Sequence, residues 1–184
     1  MGGHHLILGE IEDFLTGEIL EDTHDERYRQ KLARLLVEKK GYAEKEICQR
    51  CDLPVNAGKH RAIVKVDFKI DLSGKVCMII RYGPGSVLTR HRPSLAASRL
   101  LMPYQIPLVV ITNGEDADIM DGATGKVVSS GLETIPSRSE LIEITKNTHF
   151  MQIPRKRTEM ESRIVYAFEV DGSCPCDDTV FRLK

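Results

Sequence analysis

Residues 64–84 read VKVDFKIDLSGKVCMIIRYGP, and this stretch decides the fold. Val64, Val66, Phe68 and Ile70 alternate with Lys65, Asp67, Lys69 and Asp71, the period of a strand with one buried and one wet face. Leu72-Ser73-Gly74-Lys75 has the composition of a tight turn. Val76-Cys77-Met78-Ile79-Ile80 is then an unbroken apolar run, as in a strand covered on both faces. Arg81-Tyr82-Gly83-Pro84 closes it. Two central strands are expected, with Asp67 on the first.

On the N-terminal side, Asn56-Ala57-Gly58-Lys59-His60 reads as a turn after a strand region, Glu46–Val55. Before that, Asp22 or Thr23 can cap a helix running to about Lys40, with Tyr28, Leu32, Leu35 and Leu36 on one apolar stripe and Gly41 as its stop. Residues 6–20 read as a short structured arm. Beyond the opening stretch, Gly83-Pro84-Gly85-Ser86 is a loop, followed by a helix from Ser94 to about Met102. Ile106–Thr112 is a second buried strand run. Ala117–Met120 and Lys126–Val128 flank a turn as a hairpin. Ser137 and Glu140 form a capping box for a helix to Lys146. Thr158–Glu169 reads as helix, or as helix giving way to strand at 164–170, and Asp171–Lys184 as an irregular tail. Mixed helices and strands of both kinds indicate an α/β sandwich with a mixed central sheet.

The chain has 184 residues, 41 % of them hydrophobic, enough for one core of ordinary size. Its formal net charge of −1 gives no global attraction to nucleic acid or membrane, so any such footprint is a local patch. No apolar run approaches the ~20 residues that span a bilayer. The opening residues lack a secretory signal, so a cytoplasmic location is expected, where cysteines stay free or hold metal. Cys48-x-x-Cys51 and Cys174-x-Cys176 could together bind Zn²⁺ or an iron–sulfur cluster, or remain four free thiols. Arg81, Arg90, His91 and Arg92, with Arg99, gather around the loop after the second strand. They are candidates for phosphate contacts, or a solvated loop.

Three segments together carry a resemblance: ERYRQKLARLLVEKKGYAEKEI at 26–47, the opening stretch at 64–84, and PYQIPLVVITNGEDADIMDGATGKV at 103–127. They resemble the N-terminal domain of type I restriction enzyme R (HsdR) subunits, as found in small stand-alone proteins, over roughly residues 21–130. The resemblance implies a restriction-endonuclease-like, three-layer α/β sandwich with a PD-(D/E)xK site that cuts DNA with a divalent metal. Its helix acid falls on Glu26, or on Asp25, and its strand Asp on Asp67. Its second-strand acid falls on Ile80 and its Lys on Tyr82, with Gly83 and Pro84 fixing the register.

Two carboxylates hold Mg²⁺, the metal acidifies a bound water, and a Lys adds positive charge at the phosphate. Ile80 and Tyr82 do neither job. Strand alternation turns Arg81 away from Asp67, whereas Lys65 and Lys69 share its face and either replace the missing Lys or balance the charge. The expectation is therefore a nuclease-like fold with a vestigial site of Glu26, Asp67 and Lys69, binding nucleic acid or a protein partner. One alternative is an active Mg²⁺-dependent endonuclease with an altered motif. Another is a structural module whose cysteines hold metal. The organisation expected is an arm at 1–20, a nuclease-like core at 21–135, and a helical extension with a Cys-containing tail at 136–184.

Overall fold

A computed structural model of the chain describes residues 6–173 and 179–183. A small hairpin of β1 (Glu10–Glu12) and β2 (Ile19–Glu21) comes first, followed by α1 (His24–Arg34), which runs into a π-helical turn at Leu35–Lys39. Thr23 caps α1, its hydroxyl accepting from the Glu26 amide at 3.1 Å. Then come β3 (Ile47–Ala57), β4 (His60–Leu72), β5 (Lys75–Tyr82), α2 (His91–Ser98), β6 (Leu108–Thr112), β7 (Ala117–Asp121) and β8 (Val127–Ser130). The chain continues through α3 (Arg138–Lys146) and α4 (Arg155–Val165), which ends in a second π-helical turn at Tyr166–Val170, to β9 (Val180–Leu183).

Among the described residues, seven strands form the main sheet, in the order β3-β4-β5-β6-β7-β8 with β9 added to β4. Only the β5–β6 pairing in this sheet is parallel, because α2 carries the chain back across one face between them. Buried side chains of α2 and α4 pack with Val76, Ile79, Val109 and Ile111 on that face. Those of α1 and α3 pack with Met78, Ile80, Val110 and Ile119 on the other. The molecule is thus a three-layer α/β sandwich with a mixed central sheet.

Several sequence expectations change. Helix α2 begins at His91 rather than Ser94, since Pro93 sits in the first turn, where its missing N–H has no intrahelical partner to lose. Of the two readings of residues 158–170, the helical one holds and the strand does not form, with Val165 and Val170 buried against the sheet. The tail is not wholly irregular: β9 pairs antiparallel with Arg61–Val64 of β4. Pro54 lies in β3, the edge strand, where a missing donor is tolerated.

One irregularity positions everything that follows. Val64 and Val66 pack toward α2 and α4, yet Phe68 and Ile70 pack toward α1 and α3. Strand β3 makes the same change between Cys51 and Ile47. The change falls where Arg50, at φ 49°, stands between Gln49 opposite Phe68 and Cys51 opposite Val66. A left-handed residue without a glycine's freedom turns the local strand surface, and Asp67 lies at that turn.

Candidate functional site

Strand β4 is paired on the same edge by β5 from Phe68 onward and by β9 up to Val64. Asp67 lies in the gap between them. A cleft of about 840 Å³ opens there, walled by α1, the end of β5, the loop after it and the turn following α4. Among the described residues, five acids (Glu21, Asp25, Glu26, Asp67, Glu169) and five bases (Arg29, Arg50, Lys65, Arg81, Arg90) line it. Its field is therefore close to balanced, and local donors decide what it binds.

The structure brings Glu26 and Asp67 together, with guanidinium groups between and beside them. Arg29 donates from Nε to Asp67 Oδ1 at 2.9 Å and lies 3.5 Å from Glu26 Oε2. Burial alone would favour loss of its proton, but Asp67 and Glu26 outweigh that and hold it charged. Arg50 donates to Glu26 Oε1 at 2.6 Å, and Gln30 reaches the same oxygen at 2.8 Å. The second Asp67 oxygen accepts from the Tyr82 amide at 2.9 Å.

Arg81 overturns the alternation argument. Phe68 lies opposite Ile80, so Asp67 faces Arg81 across the diverging strands, with Nε 3.8 Å from Oδ2. Its Nη2 pairs with Glu169 at 3.3 Å. The side chain is only 6 % exposed, and its Nε and Nη1 are buried with no hydrogen-bond partner among the described residues.

The positions where the resemblance expects an acid and a Lys are committed elsewhere. Ile80 is fully buried beneath α1. Tyr82 stacks on Tyr28 at 5.7 Å between ring centres and lies beneath Arg29, while its hydroxyl donates to Asp25 at 2.9 Å. Burial and that hydrogen bond push the phenol's pKa up, keeping it protonated. Thr112-Asn113-Gly114 supports the same stack. Gly114 has φ +91°, and a Cβ there would come within 2.3 Å of the Tyr28 ring.

The sequence reading missed Asp13, whose side chain is fully buried. It accepts from the Leu15 and Thr16 amides, from Gln30 at 3.0 Å, Gln49 at 2.7 Å and Arg50 at 3.0 Å. Burial raises its pKa, but these hydrogen bonds outweigh that and hold it well below the usual carboxylate range. Asp13 thereby ties the β1–β2 hairpin to α1 and β3. A lone acid beside a Gly-flanked turn carries no sequence signature, and its donors are scattered from residue 15 to residue 50.

The other expected site residues are dispersed. Arg90 lines the cleft, its guanidinium lying against Gly83, where a Cβ would come within 2.2 Å of it. His91 instead pairs with Asp118 at 2.7 Å, and Arg92 with Glu161 at 2.5 Å. Neither lines the cleft. Arg99 and Arg157 share the same buried Glu161. Lys65 reaches the cleft wall but pairs with Asp52. Lys69 is not on that wall and lies opposite Cys48 and Ile79 in the neighbouring strands. The Cys48 and Cys51 sulfurs are 2.6 Å apart, while Cys174 and Cys176 lie outside the described residues. Cys77 is buried with α1 and α3. Among the described residues, no three His, Cys, Asp or Glu side chains converge as a metal-binding group. No helix there is long and apolar enough to cross a membrane.

The model of the type I restriction enzyme R protein N terminus matches residues 24–136. That span holds Glu26, Arg29, Arg50, Asp67, Arg81 and Arg90, and excludes Asp13, α3, α4 and β9. Neither a search of curated proteins nor one of solved structures finds a match to this chain.

Proposed function

This chain belongs to the family of type I restriction enzyme R protein N termini, and on that footing we propose that it is a nuclease-like domain without efficient metal-dependent cleavage, whose cleft binds a nucleic-acid phosphate. The observation that carries this reading is Arg81. A buried donor left without an acceptor costs about 1–3 kcal/mol, and more when charged. Two such donors on one guanidinium, at the wall of a cleft, are best satisfied by an anion. Guanidinium groups suit phosphate oxygens in geometry and charge. Arg90, held over Gly83 at the mouth, supplies the outer contact. With the cleft otherwise balanced in charge, affinity is modest and salt-dependent.

Glu26 and Asp67, as they stand, do not fit a divalent metal. Their oxygens accept from Arg29, Arg50, Gln30 and the Tyr82 amide. Ile80 offers no third ligand, and Tyr82 offers no cation at the phosphate. The protein's own guanidinium groups neutralise the acids, and no cleavage step is assigned.

Anisotropy titration of a short duplex DNA at several salt concentrations tests the binding. Arg81→Ala and Arg90→Ala are each expected to weaken it by about 1–2 kcal/mol and to lower the salt slope by about one. Unchanged binding by both variants would overturn the assignment. In parallel, plasmid is incubated with Mg²⁺ or Mn²⁺. Cleavage by the wild type that disappears in Asp67→Ala would establish the active, altered-motif nuclease instead.

A further inference from the structure

Cys48 and Cys51 stand three residues apart on β3. In a regular strand that spacing separates two residues by roughly 10 Å and points them to opposite faces. Here their sulfurs are 2.6 Å apart, and the Cys51 thiol also approaches the Cys48 carbonyl at 3.3 Å. Arg50 makes this possible. Its φ of 49° kinks the strand between the two cysteines without breaking its pairing to β4, at a position where a glycine would be expected. The two residues inside the kink then reach the same buried acids. Gln49 and Arg50 both donate to Asp13, and Arg50 also pairs with Glu26 at the cleft.

We propose that Cys48 and Cys51 form a reversible two-electron redox pair, closed to a disulfide by a peroxide-class oxidant across the Arg50 kink. The two thiols differ in the way such a pair requires. Cys48 is exposed and Cys51 is buried. Burial and the neighbouring Cys48 sulfur push the Cys51 thiol up, so it stays protonated and shielded from dissolved oxidant. Cys48 gives its proton to solvent, its thiolate attacks one peroxide oxygen and the O–O bond breaks; Cys48 becomes a sulfenic acid, and the hydroxide that leaves takes up a proton from solvent to become water. The Cys51 sulfur then attacks the Cys48 sulfur, the S–O bond breaks, and a second water leaves with the Cys51 proton. Two sulfurs give up one electron each, and one peroxide is consumed. The disulfide spans Gln49 and Arg50 and holds Gln49 on Asp13 and Arg50 on Asp13 and Glu26. A dithiol reductant reopens it. This pair acts independently of what the cleft binds.

The test uses the wild-type chain, reduced, treated with hydrogen peroxide, and alkylated with N-ethylmaleimide. Before alkylation the intact mass is expected to be two hydrogens below that of the reduced chain, and after it Cys48 and Cys51 are both unlabelled while Cys77 is alkylated on denaturation. Trypsin cuts after Arg50, so the product is a pair of peptides linked across that cut, separated by dithiothreitol. Cys48→Ser is expected to abolish the linked pair and Cys77→Ser to leave it. Full alkylation of Cys48 and Cys51 after peroxide would overturn the proposal. So would an oxygen adduct on Cys48 with Cys51 still free, or a disulfide from either to Cys174 or Cys176. One equivalent of zinc in the protein as purified, protecting both thiols from the label, would overturn it in favour of a metal site.

Discussion

Replacing Arg29 with Ala tests whether a guanidinium holds the two acids of the cleft together. Arg29 is 16 % exposed and bonds Asp67 at 2.9 Å while facing Glu26 at 3.5 Å. Removing one partner of a fully buried ion pair costs about 3–5 kcal/mol. Two features lower that figure here. Asp67 keeps the Tyr82 amide, and Glu26 keeps Arg50 and Gln30. Loss of the guanidinium over the Tyr82 ring adds about 0.5–1 kcal/mol. The expected net loss is about 2–3 kcal/mol, which in a chain of this size lowers Tm by roughly 5–10 °C. The chain has no Trp, so urea unfolding followed by far-ultraviolet circular dichroism is the suitable assay.

A second readout separates charge neutralisation from packing. With Arg29 gone, Glu26 and Asp67 become available to Mn²⁺. Ion at ten times its Kd would restore about 1.4 kcal/mol to the variant. The wild type is expected to gain nothing comparable. Unfolding of Arg29→Ala within about 0.5 kcal/mol of wild type, the range of an ordinary surface change, would refute the argument. Equal stabilisation of wild type and variant by Mn²⁺ would refute it as well.

Glu161 is 2 % exposed and accepts from Arg92, Arg99 and Arg157; Glu161→Ala leaves the buried Arg99 short of its counter-charge and is expected to cost about 3–5 kcal/mol in the same unfolding assay. Asp13 has its folded pKa below its unfolded one, so its contribution is complete above the unfolded carboxylate range of about 4. That contribution is lost as pH falls from there toward the folded value, and Asp13→Asn is expected to flatten the decline in stability below about pH 4, measured by urea midpoints at successive pH values. Gly83→Ala displaces the Arg90 guanidinium rather than any backbone; DNA binding is expected to fall as in Arg90→Ala, with Tm nearly unchanged.

Periodicity made the centre of the fold legible. The alternation in 64–70, the apolar runs at 76–80 and 108–112 and the turn between Met120 and Val127 all correspond to sheet strands, because burial on one or two faces leaves a direct mark on residue order. Caps were legible for the same reason: Thr23 and Ser137 satisfy helix amides within a few residues of themselves. The site was less so. Alternation predicted that Arg81 faces away from Asp67, which assumes a regular β4–β5 hairpin; the one-residue shift between Ile70 and Asp71 moves the pairing so that Arg81, not Ile80, comes opposite Asp67, and nothing in the residue order marks that bulge. His91 and Arg92 read as loop cations, since Asp118 and Glu161, which pair with them, lie 27 and 69 residues away. Asp13 was invisible because its donors converge only in space.

The pairing of β9 with β4 sets a condition on how the chain folds. Residues 180–183 dock on 61–64, so one edge of β4 is completed partly by the strand that follows it, β5, and partly by β9, more than a hundred residues beyond β4 along the chain. Closing so long a loop is entropically costly and slow. Until it closes, the amides and carbonyls of β4 beside Asp67 remain an open edge, able to recruit a strand from another molecule. A chain cut at residue 136, the end of the family match, would keep that edge open permanently and would also lack the α4 cover over Val64 and Val66. Such a fragment is expected to self-associate, since β9 is what covers this stretch of β4.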